Sequence, residues 1–417
     1  MGGPLSLASA IKPRIVRFRT GAALLGPAFV AAIAYVDPGN VATNTAAGAQ
    51  FGYLLVWVVV AANVMAGLVQ FLSAKLGLVT GLSLPEAVRD RLSTPTRLGY
   101  WAQAEVVAMA TDLAEVLGGA IALNLLFDLP LLVGGLITGV VSTGLLLVQD
   151  RAGQRPFERV ITGLLLIIAI GFAAGLVVSP PSGSGVVDGL LPQFAGSESV
   201  LLAAGMLGAT VMPHAVYLHS ALARDRHGLQ TGPALGRLLN ATRYDVGVAM
   251  VFAGAVNLAM LLLAASALSG IDGVDTLSGV HAAIGQHLGF GVALLFAVGL
   301  LASGLASTSV GCYAGAVVMG GLLRRRIPLL LRRLLTLVPA VVLLAFNVDP
   351  SWALVISQVV LSFGIPFALI PLVRLTSSRR LMGENVNHKV TTGLAWVIAG
   401  LVIALNLALI WLTVTGS

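Results

Sequence analysis

The chain has 417 residues, 57% of them hydrophobic and 10% charged, with a formal net charge of +7 and a mean hydropathy of +0.96. A soluble domain carries roughly a quarter of its residues as charges, so a water-facing globule is excluded and an all-α polytopic membrane protein is expected. The single cysteine, Cys312, excludes an intramolecular disulfide framework and a metal–thiolate cluster.

Apolar runs of about 20 residues cross a bilayer as helices. Such runs fall near 21–50, 53–79, 100–127, 129–149, 156–178, 199–223, 242–268, 288–322, 327–346, 350–374 and 390–415, eleven in all. The basic segment 1–20 leads into a full-length span, so no cleavable signal peptide is expected. The connectors are short and leave no room for an inserted soluble domain.

The basic residues mark alternate loops. Lys12, Arg14, Arg17 and Arg19 precede the first span, and Lys75, Arg89, Arg91 and Arg97 surround the loop after the second. Arg151, Arg155 and Arg159 follow the fourth, and Arg224, Arg226, Arg237 and Arg243 the sixth. Arg324, Arg325, Arg326, Arg332 and Arg333 follow the eighth, and Arg374, Arg379, Arg380 and Lys389 the tenth. Loops after odd-numbered spans carry none, but hold Asp128, Asp188, Glu198, Asp272, Asp275 and Asp349. The positive-inside rule then places the N-terminus in the cytoplasm and the C-terminus, after eleven crossings, outside the plasma (inner) membrane. The basic charge is topology, not nucleic-acid recognition, and no obligate protein partner is evident.

The first span contains "AAIAYVDPGNVATN", residues 31–44. Pro38 has no N–H for the carbonyl of Ala34 and pushes Asp37 out of helical geometry. Gly39 is expected to permit unwound backbone after the proline. Such a break survives at membrane depth only when buried in protein or facing a polar cavity. An acid there marks a functional site; the bland alternative is a proline kink with a paired carboxylate. The sixth span holds a second break, "GMLGATVMPHAVYLHS" at 205–220, where Pro213 frees the carbonyl of Ala209. Breaks five spans apart predict an inverted repeat, 21–178 against 199–374, with the helix at 390–415 added. The candidate site offers the Asp37 carboxylate, the Asn40 amide, the Ala34 and Ala209 carbonyls at negative half-helix ends and the Met212 thioether. Oxygen ligands alone suit Mg²⁺ or Ca²⁺, whereas a thioether favours softer transition ions. Packing is the alternative role for Met212.

"DPGN" and "MPH" resemble the paired signatures of the Nramp family of divalent-metal transporters. "ATDLAEVLG" at 110–118, "ASGLASTSVG" at 302–311 and "SQVVLSFGIPFALIPL" at 357–372 also look like its members. The resemblance implies a LeuT-like 5+5 fold and proton-coupled uptake of Mn²⁺ and Fe²⁺, with Cd²⁺, Co²⁺ and Zn²⁺ also carried. It implies a metal bound by Asp37, Asn40 and Met212, with the Ala209 and Ala34 carbonyls entering in different conformations. The metal is then substrate, and no cofactor is expected. Ala215 departs from the "MPHN" of many members, which touches a polar contact beyond the ligands. Relatives that move Mg²⁺ or Al³⁺ lack the methionine, so "MPH" argues for the transition-metal branch.

Glu105, Asp112 and Glu115 share one stripe of the third span, which must face protein rather than lipid. A structural reading pairs them with Arg332, Arg333 or Arg243. The resemblance implies a proton route from Asp37 through Asp112 and Glu115 to the cytoplasm, paired with Arg332 and Arg333, and Glu105 marks its mouth by position. His214 follows the second break and is a candidate to move or tune a proton. His219, five residues on and about 140° around the helix, is left out of the site. Gln358 is a helix-packing hydrogen bonder by position, and an outer ligand in the occluded site by resemblance.

Two other classes compete. An intramembrane enzyme would need a zinc motif such as H-E-x-x-H or a nucleophile with a positioned base, and neither is found, so no enzyme is expected. An uncoupled channel or facilitator for divalent metals is not excluded by spacing alone.

Overall fold

The computed structural model describes residues 26–152, 154–324, 329–346 and 348–415. The segment 1–20, with Lys12, Arg14, Arg17 and Arg19, lies outside them, as do Arg325 and Arg326. The described residues fold into helices and connecting turns, with no strand among them. In chain order these are α1 (Pro27–Ile33), a 3₁₀ turn (Ala34–Val36), α2 (Pro38–Phe51), α3 (Val56–Thr80), α4 (Leu84–Arg89), α5 (Thr94–Phe127) and α6 (Leu131–Ala152). There follow α7 (Gln154–Val178), α8 (Gly183–Asp188), α9 (Gly196–Thr210), α10 (Pro213–His227), α11 (Gly232–Ala267) and α12 (Leu277–Leu288). The last are α13 (Phe290–Leu323), α14 (Leu329–Ala345), α15 (Pro350–Thr376), α16 (Arg379–Met382), a 3₁₀ turn (Gly383–Asn385) and α17 (Lys389–Thr415).

Eight helical stretches among the described residues are long and apolar enough to cross a membrane, with α9 and α10 counted as one. The other three expected spans are helical too: the interrupted α1–α2, then α6, then α14 with Pro339 inside it. Two helices start earlier than their apolar runs. The third expected span opens at Thr94 rather than 100, and the seventh at Gly232 rather than 242. Each has Pro in its first turn, Pro95 and Pro233, which pre-sets helical φ. Hydropathy registers only the part in hydrocarbon, not the polar turns that precede it.

Burial sorts the bundle. In the most apolar stretch of α9–α10, 89% of residues are buried inside the protein, against 33% for α7 and for α17. The broken helix therefore sits at the centre and α17 at the lipid-facing edge. Around it α13 packs along α5 and α7, α11 along α2 and α3, and α9 against α15.

Proline breaks recur in α15, and each freed carbonyl is answered from another helix. Pro366 leaves the carbonyl of Ser362 without its i+4 donor. Asn406 Nδ2, in the middle of α17, donates to that carbonyl at 2.9 Å, and Asn406 Oδ1 accepts the Ser362 hydroxyl at 2.7 Å. Pro371 frees the carbonyl of Phe367, which accepts from the Tyr100 hydroxyl of α5. Asn406 thus ties the middle of the peripheral α17 to the core by polar contact, and Thr392 near its start lies 3.0 Å from the Ser377 hydroxyl. Interhelical hydrogen bonds in membranes contribute about 0.6 kcal/mol each, so Asn406→Leu is expected to cost about 1 kcal/mol. That corresponds to a loss of roughly 1–3 °C in the melting temperature of the detergent-solubilised protein. An unchanged melting temperature would show that the Asn406 contacts do not help to seat α17.

Candidate metal site

Both broken helices restart in the same way. Asp37 is extended (φ −78°, ψ 170°) and caps α2, with Pro38 as the first helical residue. Met212 is extended (φ −60°, ψ 121°) and caps α10, with Pro213 in the same place. Extended geometry is what a following proline imposes, and proline suits the first helical position because its missing N–H would have no helical partner. The two residues carrying the distinctive side chains therefore occupy equivalent positions in the two breaks. Both are fully buried.

The unwound stretch lies before Pro38, at 34–37, and not after it as expected. Pro38 and Gly39 are already helical. Gly39 has a different role: a Cβ there would meet Gln358 Nε2 at 1.8 Å. Gly208 in α9 does the same from the other broken helix, where a Cβ would meet the Gln358 carbonyl at 1.9 Å. Two glycines thus form the notch that lets Gln358 of α15 reach the site.

The resulting cluster is compact. Asp37 Oδ1 accepts the Asn40 backbone N–H at 2.7 Å, a helix N-cap bond, and Asn40 Nδ2 at 3.1 Å. Gln358 Nε2 lies 3.4 Å from Asp37 Oδ2. Asn40 Nδ2 also donates to the Ala209 carbonyl at 3.0 Å, so the carbonyl freed by Pro213 faces the first break. Asp37, Asn40, Gln358 and Ala209 are brought together directly. Met212 lies three residues beyond Ala209, wholly buried at the cap of α10. Ala34 is buried at the start of the 3₁₀ turn; the hydrogen bonds that join the two breaks run through Ala209.

Two features of the cluster call for a cation. Asp37 is fully buried, yet among the described residues it has no ion pair. A charged carboxylate without counter-charge is costly in such a place. Beside it, the buried oxygens Asn40 Oδ1 and Gln358 Oε1 accept no hydrogen bond. Uncompensated acceptors around a lone carboxylate match a positive ion, or a proton on the acid. Among the described residues no group of three or more His, Cys, Asp or Glu side chains is placed to hold a metal. Any ion here relies on one charged ligand and several neutral ones.

The other carbonyls of the first break have side-chain partners that sequence spacing did not reveal. Asn257 Nδ2 of α11 donates to the Tyr35 carbonyl at 2.7 Å, and Ser303 Oγ of α13 to the Val36 carbonyl at 2.5 Å. Gln70 of α3 donates to the Tyr35 hydroxyl, and its Oε1 lies 2.7 Å from His219 Nδ1. His219 is thereby engaged with Gln70, away from the Asp37 contacts. The signal available was the amide side chain in mid-span, at Gln70 and Asn257, where polar groups are expensive unless paired.

The acids of α5 follow two patterns. Glu105 pairs with Arg332 at 2.8 Å and Asp112 with Arg333 at 3.1 Å, while Arg333 also reaches Ser142 Oγ at 3.0 Å. Arg243 is not a partner to this stripe; it stands over the Phe71 ring, 5.1 Å from its centre, where a cation–π contact holds it. Glu115 is buried, with Oε2 accepting no hydrogen bond. Side-chain exposure falls along the stripe from 19% at Glu105 to 3% at Asp112, so access comes from the Glu105 end. His214 Nδ1 lies 3.2 Å from Thr111 Oγ1, the residue before Asp112. That contact bridges the second break and the acidic stripe.

The chain is 64% identical over 394 residues to the divalent metal cation transporter MntH of Mycobacterium tuberculosis, covering 94% of this chain and 92% of that protein. A manganese transporter of Eremococcus coleocola, whose crystal structure contains an aromatic bis-isothiourea compound, superposes with a TM-score of 0.85. It is 33% identical, over 94% of this chain and 86% of that one. The nucleobase-cation symporter Mhp1 shares the fold alone, at 16% identity and a TM-score of 0.59 over 92% of this chain and 90% of that one. The family model for natural resistance-associated macrophage protein-like chains matches residues 28–412, and this multi-pass membrane protein belongs to the Nramp family.

Proposed function

We propose that this chain is a secondary active transporter that imports divalent transition-metal ions, Mn²⁺ and Fe²⁺ foremost and Cd²⁺, Co²⁺ and Zn²⁺ as well, coupled to protons by alternating access. The observation that carries this reading is the buried Asp37 carboxylate, without an ion pair among the described residues, set between two orphaned amide oxygens where the broken helices meet. The metal ligands are Asp37, the Asn40 and Gln358 amide oxygens, the Met212 sulfur and the carbonyls of Ala209 and, in another conformation, Ala34. One charged ligand suits a cargo that must be released, since affinity for a cation rises with the number of charged ligands. Transport by relatives at 64% and 33% identity supports the same substrate class.

In this reading Asp37 holds a proton whenever it does not hold a metal, and the stripe of Asp112, Glu115 and Glu105 carries the proton away. His214, through Thr111, supplies the polar link from the second break to Asp112. Arg332 pairs with Glu105 and Arg333 with Asp112 along this route. The chain then sits in the plasma (inner) membrane with eleven crossings, its N-terminus cytoplasmic and C-terminus extracytoplasmic. Repeats at 21–178 and 199–374 and the helix at 390–415 complete the arrangement. It acts as a transporter without catalysis or cofactor, on metal ions and protons alone.

Asp37→Asn removes the only charged ligand. Loss of a buried charged contact costs about 3 kcal/mol, or roughly a hundredfold in Kd, so Mn²⁺ binding by calorimetry and uptake into liposomes are both expected to collapse. Near-normal Mn²⁺ affinity in this variant would refute the ligand assignment. Asp112→Asn is expected to blunt the pH dependence of uptake while metal Kd stays within about threefold of the parent, roughly 0.7 kcal/mol. Metal affinity lost as severely as in Asp37→Asn would place Asp112 with the ligands. Proton flux measured alongside metal flux separates coupled transport from an uncoupled facilitator.

Met212 is the one soft ligand. Its replacement by Ala is expected to weaken Cd²⁺ binding about tenfold more than Mn²⁺ binding. It should also let Ca²⁺ or Mg²⁺ compete, because water can take the vacated place and hard ions prefer oxygen. Rejection of abundant hard ions is a difference between affinities, so the measurement is Mn²⁺ uptake under excess Ca²⁺. Unchanged competition together with unchanged Cd²⁺ affinity would reduce Met212 to packing.

A further inference from the structure

Away from the Asp37 cluster, a groove of about 440 Å³ lies between the loop after α4, the first turns of α5 and the last turns of α15. Its floor is apolar, with Leu92, Tyr100, Phe367 and Ile370 among its lining, and it shares no residue with the metal ligands. Pro366 and Pro371 both line it, so the wall from α15 has no backbone N–H at those two positions. The Tyr100 hydroxyl, by bonding to the Phe367 carbonyl, removes a polar group from the floor. Phe367 remains 44% exposed, so the trough is open to its surroundings.

Two guanidinium groups stand at this groove, Arg91 and Arg374. Both are exposed, and among the described residues neither has a carboxylate partner. Arg91 uses one N–H, on the Ala87 carbonyl at 2.7 Å; a guanidinium carries five. Arg374 sits in the last turn of α15, where the helix dipole favours a cation, but that dipole does nothing for Arg91. Two unneutralised arginines beside an apolar trough complement a molecule with an anionic head and a hydrocarbon tail. Guanidinium groups hold phosphate in bidentate fashion, and basic pockets between membrane helices take anionic lipid heads. The volume falls within the roughly 300–1,000 Å³ of ligand pockets.

We propose that this groove binds an anionic glycerophospholipid, with its phosphate between Arg91 and Arg374 and an acyl chain along Leu92, Phe367 and Ile370. The bound lipid braces the last turns of α15, the helix that carries Gln358 to the metal ligands. The site depends on the chain lying in a membrane and not on which metal it carries, so it is testable by lipid binding alone.

The test is retention of phosphatidylglycerol by the purified full chain, read by native mass spectrometry, against phosphatidylcholine as the neutral probe. The expected result is selective retention of phosphatidylglycerol, with the half-saturating concentration raised about tenfold in Arg91→Gln/Arg374→Gln. Arg379→Gln/Arg380→Gln makes the same charge change outside the groove and should leave retention unaltered. Ile370→Gln keeps both charges and spoils the floor, and it too should weaken retention; it serves where the arginine pair variant does not fold. Equal losses in the two arginine pairs would reduce the effect to general surface charge and overturn the proposal. Equal retention of phosphatidylcholine, or displacement of the lipid by millimolar inorganic phosphate, would overturn it as well.

Discussion

Nothing in hydrocarbon replaces a lost backbone hydrogen bond, and this constraint decides where the chain is able to break. Four carbonyls at the breaks end on a side chain from another helix. The Tyr35 carbonyl takes Asn257, the Val36 carbonyl Ser303, the Ser362 carbonyl Asn406 and the Phe367 carbonyl Tyr100. For these four carbonyls the donor has no other function that the geometry reveals. The fifth is different. The Ala209 carbonyl takes Asn40, which also donates to Asp37. The repair of one broken helix is made by the other, and the carboxylate belongs to the same network.

Charge follows a similar logic with a different outcome. Four acidic or basic side chains of the α5–α14 contact neutralise one another in pairs, Glu105 with Arg332 and Asp112 with Arg333. Arg333 is completely buried, and removing either member of such a pair would leave an uncompensated charge in a medium that tolerates it poorly. Asp37 is just as buried and, among the described residues, has no such partner. Its oxygens are met by an N-cap N–H and by amides, which are dipoles rather than charges. The protein thus contains acids compensated by arginine and, at Asp37, a buried acid whose oxygens meet only dipoles; on the proposed reading its compensation comes from outside, as a proton or a metal ion.

Much of this was readable beforehand because it is local. "DPGN" and "MPH" place the breaks, the i−4 rule names Ala209 as a freed carbonyl, and the spacing of Glu105, Asp112 and Glu115 assigns them to one face. What was not readable depends on contacts between residues far apart in sequence. Gly39, which local sequence assigns to unwound backbone, is helical and makes room for Gln358, 319 positions away. Arg243, a partner for the acids by charge alone, stands instead over Phe71 of α3. Periodicity gives the face of a helix but not which neighbour meets that face. The amides were the overlooked clue. Gln70, Asn257 and Asn406 each stand alone in apolar sequence, and each proved to hold another helix in place.

The two breaks also differ in a way that bears on motion. The first retains a 3₁₀ turn from Ala34 to Val36 between its halves, while the second passes from Thr210 to Pro213 through only Val211 and Met212. Neither link has the ladder of i→i−4 bonds that makes a helix move as one rod. Both halves pack on α11, but their other main neighbours differ, α7 for α1 and α9 for α2, so on the proposed reading the two halves are able to tilt differently. Asp37 and Met212 stand at the pivots rather than on either half. Ligands at the pivots are displaced least when the halves tilt, whereas Gln358, delivered by a third helix through a two-glycine notch, shifts whenever α15 shifts. A cargo held by the first pair and released or enclosed by the third then needs no rebuilding of the site, only a small change in where one amide lies.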